Sequence, residues 1–167
     1  GKSSEELADT DRYPVCEPDT SDDFSSDTMG LQWQWNATFD QSWYSLRNPG
    51  LKLNAVPTTP LRPLGDTRNI LLQKWPAPEF SCVTKLNISD IKDGDTAGYI
   101  SLGMNYSAFI IEKCDGKFAA YQVKGFQDFD CDSAYTEEQK EKVQVDGLED
   151  NTENVYVRYT VKRTGTM

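Results

Sequence analysis

Leu31-Gln32-Trp33-Gln34-Trp35-Asn36-Ala37-Thr38-Phe39-Asp40-Gln41-Ser42-Trp43-Tyr44 holds three of the chain's four tryptophans. Leu31, Trp33 and Trp35 stand at strict period two, with Gln32 and Gln34 between them. On a strand this spacing puts three large apolar groups on one face and two amides on the other. Trp is demanding to place, because a wide ring must be packed while its N–H finds a partner. Such a face either fills the core of a β-sandwich or lines a floor on which sugar rings stack.

Working outward, the same period recurs. Leu51, Leu53 and Ala55 alternate after an Asn48-Pro49-Gly50 turn. Phe80, Cys82, Thr84, Leu86 and Ile88 share a face, with Ser81, Lys85 and Asn87 opposite. Ile100, Leu102 and Met104 follow the Asp93-Gly94-Asp95 turn. Tyr106 to Lys113 reads as a strand, Cys114-Asp115-Gly116-Lys117 as a tight hairpin, and Phe118 to Lys124 as its return arm. Val155, Val157, Tyr159 and Val161 alternate with Tyr156, Arg158, Thr160 and Lys162. Short strands separated by turn signals predict an all-β, two-sheet antiparallel sandwich. One helix is expected, over Thr136 to Val143, because Thr-Glu-Glu-Gln resembles a capping box. That segment lacks an apolar stripe, so an exposed turn is the competing reading.

Composition narrows the function. The 167 residues suffice for one domain with a core. Hydrophobic residues make up only 37%, so part of the chain is expected to stay unpacked. Residues 1–22, rich in Ser, Asp, Glu, Thr and Pro, read as a polar linker or arm. Residues 23–167 read as the sandwich, and the linker implies a domain upstream. The chain opens on Gly1 without an initiator Met, as in a processed piece or one carrying a tag remnant. No apolar run approaches the ~20 residues of a membrane helix, so no membrane partner is expected. The net charge of −10 argues against a nucleic-acid partner, whose phosphates need a basic surface. Neutral polysaccharides are not repelled.

The chain has no histidine. This removes Ser-His-Asp and Cys-His catalysis and His-ligated metals. Carboxylate chemistry remains, with glycoside hydrolysis the leading case. Glu79 and Glu112 are acids near strand ends, but no spacing singles out a catalytic pair, and surface carboxylates are the plain reading. Asp93-Gly94-Asp95 is explained by turn chemistry. Asp128-Phe129-Asp130-Cys131-Asp132 reads as a solvated acidic loop, since neither run matches a calcium loop. No metal, cofactor or catalytic residue is expected. Cys16, Cys82, Cys114 and Cys131 form no CxxC pair. Cys82 reads as a buried free thiol, while Cys114 and Cys131 flank a hairpin and could bridge. Asn36, Asn87 and Asn105 open glycosylation sequons, which short Asn- and Ser-rich chains produce by chance.

The order of segments carries a resemblance. Ser21-Asp22-Asp23-Phe24 followed by Gly30-Leu31-Gln32-Trp33-Gln34-Trp35-Asn36 resembles the opening of the β-sandwich domain that follows the catalytic propeller in many glycoside hydrolase family 43 enzymes, β-xylosidases and α-L-arabinofuranosidases among them. Trp43-Tyr44-Ser45-Leu46 with Pro49-Gly50-Leu51-Lys52-Leu53 is similar to the next segment. Asn69 to Lys74 with Pro76, Pro78, Glu79 and Phe80 is similar to the third. Gly94-Asp95, Ala97-Gly98, Met104 and Tyr106 match a later one. The likeness runs from about Asp22 to Lys113, fades after Phe126 and returns at Val155 to Val161. It implies a concanavalin A-like jelly roll, an ancillary role beside an upstream catalytic propeller, and a part in xylan or arabinan breakdown. It favours a secreted or periplasmic setting over a cytoplasmic one. The family domain continues past the equivalent of Met167. The sandwich is therefore expected either to lack its last strands or to be completed by edge-strand pairing with another chain. The rival reading is a carbohydrate-binding module that holds polysaccharide directly, with Trp35, Tyr44 and Trp75 as its sugar contacts. The Trp75-Pro76-Ala77-Pro78 loop makes Trp75 a better candidate for exposure than Trp33. A stand-alone hydrolase with two acidic residues and an open-edge interaction domain are further rivals.

Overall fold

The computed structural model describes residues 19–47, 50–57, 63–127, 135–139, 143–144, 147–148 and 152–162. They form strands joined by turns, with two single 3-10 turns at Gln41–Trp43 and Leu64–Asp66. In chain order the strands are β1 (Trp33–Trp35), β2 (Tyr44–Leu46), β3 (Leu51–Leu53), β4 (Leu71–Gln73), β5 (Phe80–Asn87), β6 (Thr96–Ser101), β7 (Asn105–Cys114), β8 (Lys117–Phe126), β9 (Thr136–Gln139), β10 (Val143–Gln144) and β11 (Asn154–Val161).

The central layer is a five-stranded antiparallel sheet in the order β10-β8-β7-β6, with β9 also on β8. Its spine is the β7–β8 hairpin, paired continuously from Asn105↔Phe126 to Cys114↔Lys117. Asp115 and Gly116 both take positive φ (51° and 73°), the conformation a two-residue hairpin turn needs to match strand twist. The expected hairpin is present. The Asp93-Gly94-Asp95 turn locks beside it. Gly94 N donates to Lys113 O (2.8 Å), and Asp93 Oδ1 accepts from Gly116 N (3.1 Å). Turn chemistry thus accounts for both acids.

β5 and β11 form the second layer, paired from Asn87↔Asn154 to Phe80↔Val161. Exposure alternates along both strands, as the sequence predicts. Their inner face packs on the central sheet through Ile88, Ile111 and Phe118, joined by Leu86, Ile91, Leu148 and Val155. The opposite face of the central sheet carries a second cluster of Tyr106, Ala108, Ile110 and Val123, covered by Leu64, Tyr121 and Tyr135. Two short ribbons, β1–β4 and β2–β3, complete the architecture.

Three expectations need correction. Thr136–Gln139, the start of the expected helix, is strand β9, paired with β8 from Phe126↔Thr136 to Val123↔Gln139, and residues 140–142 lie outside the described residues. The free edge of β8 offers a ladder that outweighs a weak capping signal in a segment without an apolar stripe. Leu31 does not share the Trp33/Trp35 face; it lies in a turn closed by Trp33 N donating to Gly30 O (3.2 Å) and is fully exposed. Leu53 ends β3 and Met104 lies in the bend between β6 and β7, and both are exposed where alternation predicts an inward side chain. Cys82 is half-buried with a free thiol, and Cys114 is free and exposed. Cys16, Cys131 and the Asp128–Asp132 run lie outside the described residues, as do Asn48 and Pro49 of one expected turn.

Candidate functional site

Trp33 and Trp35 flank exposed Gln34 on β1, but their surroundings differ. Trp33 is held structurally. Its Nε1 donates to Asp22 Oδ2 (2.8 Å), Gln32 Nε2 donates to the same oxygen (3.2 Å), and Phe24 packs on its ring at 5.2 Å. Asp22 Oδ1 also accepts from Phe24 N (2.8 Å), and Gln73 Nε2 donates to Asp19 O (3.1 Å). The indole N–H that made this tryptophan demanding is therefore satisfied within the fold.

Trp35 enters an aromatic knuckle. Its ring centroid lies 5.5 Å from Trp43 in edge-to-face geometry and 5.6 Å from Tyr44, and Tyr44 meets Phe39 at 6.5 Å. The local chain is built to hold these rings. Asp40 caps the 3-10 turn by accepting from Ser42 N (2.8 Å), which also holds its carboxyl below the ordinary carboxylate range. Asn54 N donates to Trp43 O (2.8 Å), and Asn54 Nδ2 donates to Ser42 O (2.6 Å). Asn36, next to Trp35, donates both amide hydrogens, to Gly65 O (3.0 Å) and Thr67 O (2.9 Å). Trp35 and Tyr44 are half-buried, whereas Phe39 is 52% exposed and Leu53, the cross-strand partner of Tyr44, is 51% exposed. The knuckle is thus a rigid base of packed rings with an apolar rim.

Trp75 stands apart. It is 54% exposed and packs edge-on against Phe80 at 5.8 Å. Phe80 continues to Tyr159 (6.5 Å) and on to Tyr99 (4.8 Å), whose hydroxyl lies 3.4 Å from Cys82 Sγ. Burial, reinforced by the Cys82 thiol, pushes Tyr99 well above the ordinary tyrosine value. The fold therefore brings Trp35 and Tyr44 together and puts Trp75 at the outer end of a separate aromatic row. Sequence reading foresaw the exposure of Trp75. It missed Phe39 and Trp43, which converge only through the 3-10 turn.

A third grouping lies on the central sheet. The Tyr106 hydroxyl donates to Glu137 Oε1, which also accepts from Leu64 N (2.5 Å). Tyr135 packs edge-on against Tyr106 at 5.1 Å and donates to Gly103 O (3.0 Å). Tyr121 is pushed up to about 12 by burial, then by the charge and hydrogen bond of Glu112 and the more remote Glu137 charge. Glu137 escapes sequence reading because Thr-Glu-Glu-Gln reads as either a capping box or an exposed turn, neither of which places it beside Tyr106. These carboxylates hold tyrosine hydroxyls, a structural use of charge. Among the described residues, no group of three His, Cys, Asp or Glu side chains could hold a metal ion. No helix among them is long and apolar enough to cross a membrane.

Antiparallel strands stacked in two layers around aromatic and aliphatic clusters, with hydrogen-bonded ribbons at one side, define a β-sandwich of the concanavalin A-like class. The chain belongs to the β-xylosidase C-terminal concanavalin A-like domain family of glycoside hydrolase family 43, whose profile matches residues 21–167. It is also similar to a β-xylosidase of Formosa agariphila, with 46% identity over 52 residues. That match covers 30% of this chain and 9% of the relative, so the chain spans a small part of the relative's length. No solved structure matches it significantly.

Proposed function

We propose that this chain is the ancillary sandwich of a family 43-type glycoside hydrolase acting on xylan- or arabinan-type plant polysaccharide. In this reading residues 1–22 link the sandwich, residues 23–167, to an upstream catalytic propeller. The propeller carries the catalytic carboxylates, and the sandwich buttresses it and shapes its substrate entrance. One observation carries the docking role: the apolar rim of Phe39 and Leu53 over the Trp35–Trp43–Tyr44 base. Exposed apolar groups on a preorganised scaffold suit a protein interface, because little conformational freedom remains to be lost on docking.

The test places Phe39→Ser with Leu53→Ser in the full enzyme. Both residues are about half-exposed, so the sandwich keeps its own melting temperature, while the catalytic domain separates on limited proteolysis and melts earlier. An enzyme whose domains stay joined and equally stable would refute docking through this rim. The chain alone is expected to leave aryl xylosides and arabinofuranosides intact, and clear turnover by a pure sample would sink the ancillary reading.

The exposed ring of Trp75 favours a second reading, a carbohydrate-binding module with Trp35, Tyr44 and Trp75 as sugar contacts. It requires measurable affinity for neutral xylan or arabinan that is lost in Trp75→Ala. Because Trp35 and Tyr44 lie in a different cluster, Trp75 would act as an isolated platform.

A further inference from the structure

The outer face of the β5–β11 ribbon is the least explained surface of the fold. Its cross-strand rows are Ser81↔Thr160, Val83↔Arg158 and Lys85↔Tyr156, all exposed. Tyr156 is 67% exposed and Val83 55%. The two strands, eight residues each, contain no Asp or Glu, although the chain has 27 acidic residues among 167. Among the described residues the ion pair is Lys52–Asp90 (3.0 Å), and neither Lys85 nor Arg158 has an acidic partner. Among the described residues two cations of an acidic chain thus stand on one strip without counter-charge.

Geometry brings these cations to a common point. Lys85 faces Tyr156 directly, and Arg158 follows Tyr156 on the same face of β11. Diagonal neighbours on an antiparallel pair lie about 7–8 Å apart, within reach of both long side chains. The register therefore puts an ammonium-bearing and a guanidinium-bearing residue on either side of Tyr156. Two rows from the phenol, beyond Val83↔Arg158, Ser81 Oγ and Thr160 Oγ1 are hydrogen-bonded at 2.9 Å and offer further hydroxyl contacts.

We propose that this strip binds a carboxylated polysaccharide, with a uronic-acid unit seated on Tyr156 between Lys85 and Arg158. The proposal rests on the reading that the chain serves a plant-polysaccharide hydrolase and names the substrate feature it selects. The guanidinium matches a carboxylate through paired N–H donors, and the ammonium adds a point charge. The apolar face of the sugar packs on the phenol ring. An exposed two-stranded ribbon eight residues long suits an extended chain that runs past the contact. The net charge of −10 opposes a polyanion at long range. At 0.1 M salt the Debye length is about 10 Å, so that repulsion is screened while the contact pairs persist.

The test measures binding of the 167-residue chain to glucuronoxylan, polygalacturonate, neutral xylan and polyglutamate by affinity electrophoresis and calorimetry. Glucuronoxylan or polygalacturonate is expected to bind at least tenfold tighter than neutral xylan, and the two polymers distinguish uronates carried as side branches from those of the backbone. Arg158→Gln and Tyr156→Ala each remove most of this affinity, and Lys85→Arg preserves it. All three sites are exposed, so melting curves serve as the folding control. Equal binding of neutral xylan, binding of polyglutamate alone (an acidic protein partner), or unaltered affinity in both loss variants would overturn the proposal. A chain that binds uronates but fails to dock sinks only the buttressing role; one that docks but ignores uronates sinks only this strip.

Discussion

Gly125→Ala tests how the central sheet is closed. Gly125 on β8 pairs with Tyr106 on β7, and the Tyr106 ring lies across it. A Cβ at position 125 would sit 2.0 Å from Tyr106 Cε1 and 2.2 Å from Cζ. Carbon atoms in ordinary contact stay about 3.5–4.0 Å apart, so the ring must shift by about 1.5 Å or more. It is poorly placed to yield: only 4% exposed, packed on Tyr135 and tied through its hydroxyl to Glu137. Overpacking a filled site costs about 1–3 kcal/mol. Losing a hydrogen bond to a charged group adds about 1.5 kcal/mol, the lower end because Glu137 is exposed. The sum is about 3 kcal/mol, a fall of about 6–12 °C in melting temperature for a domain of this size. Calorimetry on Gly125→Ala and on the same change in a Tyr106→Leu background measures it. With the ring gone the alanine should cost under about 1 kcal/mol, a strong non-additivity. A Gly125→Ala protein as stable as the parent, or an equal cost in both backgrounds, would refute this account of the sheet.

Three other outcomes follow from the same contacts. Tyr99, Tyr106 and Tyr121 all titrate above the ordinary tyrosine value. The unfolded chain therefore loses its phenol protons first: their contribution to stability is intact below about pH 10 and drains as pH climbs through 12 and beyond, with delayed tyrosinate absorbance as the readout. Asp22→Ala frees the Trp33 indole N–H and should cost about 1.5–3 kcal/mol in denaturant unfolding, with a shift in tryptophan fluorescence; an unchanged midpoint and spectrum would count against the clamp. Asn36→Ala strips a partner from both Gly65 O and Thr67 O and should destabilise by about 2 kcal/mol, whereas Asn87→Ala, whose side chain bonds only within its own exposed turn, should stay within about 0.5 kcal/mol.

Legibility in the sequence followed the strength of local alternation. β5 and β11 were readable because eight-residue runs of inward apolar and outward polar groups admit one register against a core. The β7–β8 hairpin was readable because Asp-Gly fixes the turn. β9 was not, since Thr-Glu-Glu-Gln has no apolar face and takes its conformation from the edge of β8. The tryptophan segment was half legible. Its period marked a strand, but nothing local shows that Asp22 captures Trp33 while Trp35 turns to Trp43 and Tyr44. Those partners are eight to eleven residues away and meet only after the chain has turned. The family resemblance supplied what periodicity lacked, because several weak motifs in a fixed order specify more than any one of them.

The three unassigned surfaces follow from how aromatic mass is distributed. The fully packed positions among the described residues are few: Phe118, Ile88 and Ile111 carry the largest side chains less than 2% exposed. Most of the large rings sit instead at margins, in the knuckle, in the Trp75 row and on the outer face at Tyr156. A sandwich built only for its own stability would bury its largest side chains first, since each removes the most apolar area from water. In the knuckle the chain that carries the rings is instead held by side-chain bonds to backbone, from Asn54 to Ser42 O and from Ser42 N to Asp40. Such scaffolding fixes a ring's orientation without hiding it, which is what a contact surface needs and a core does not. The rim and the strip also differ in chemistry, one apolar over packed rings and the other cationic beside a single phenol. The two proposals assign the rim to a protein and the strip to an acidic sugar, and substitutions at Phe39 and at Arg158 should separate the two roles.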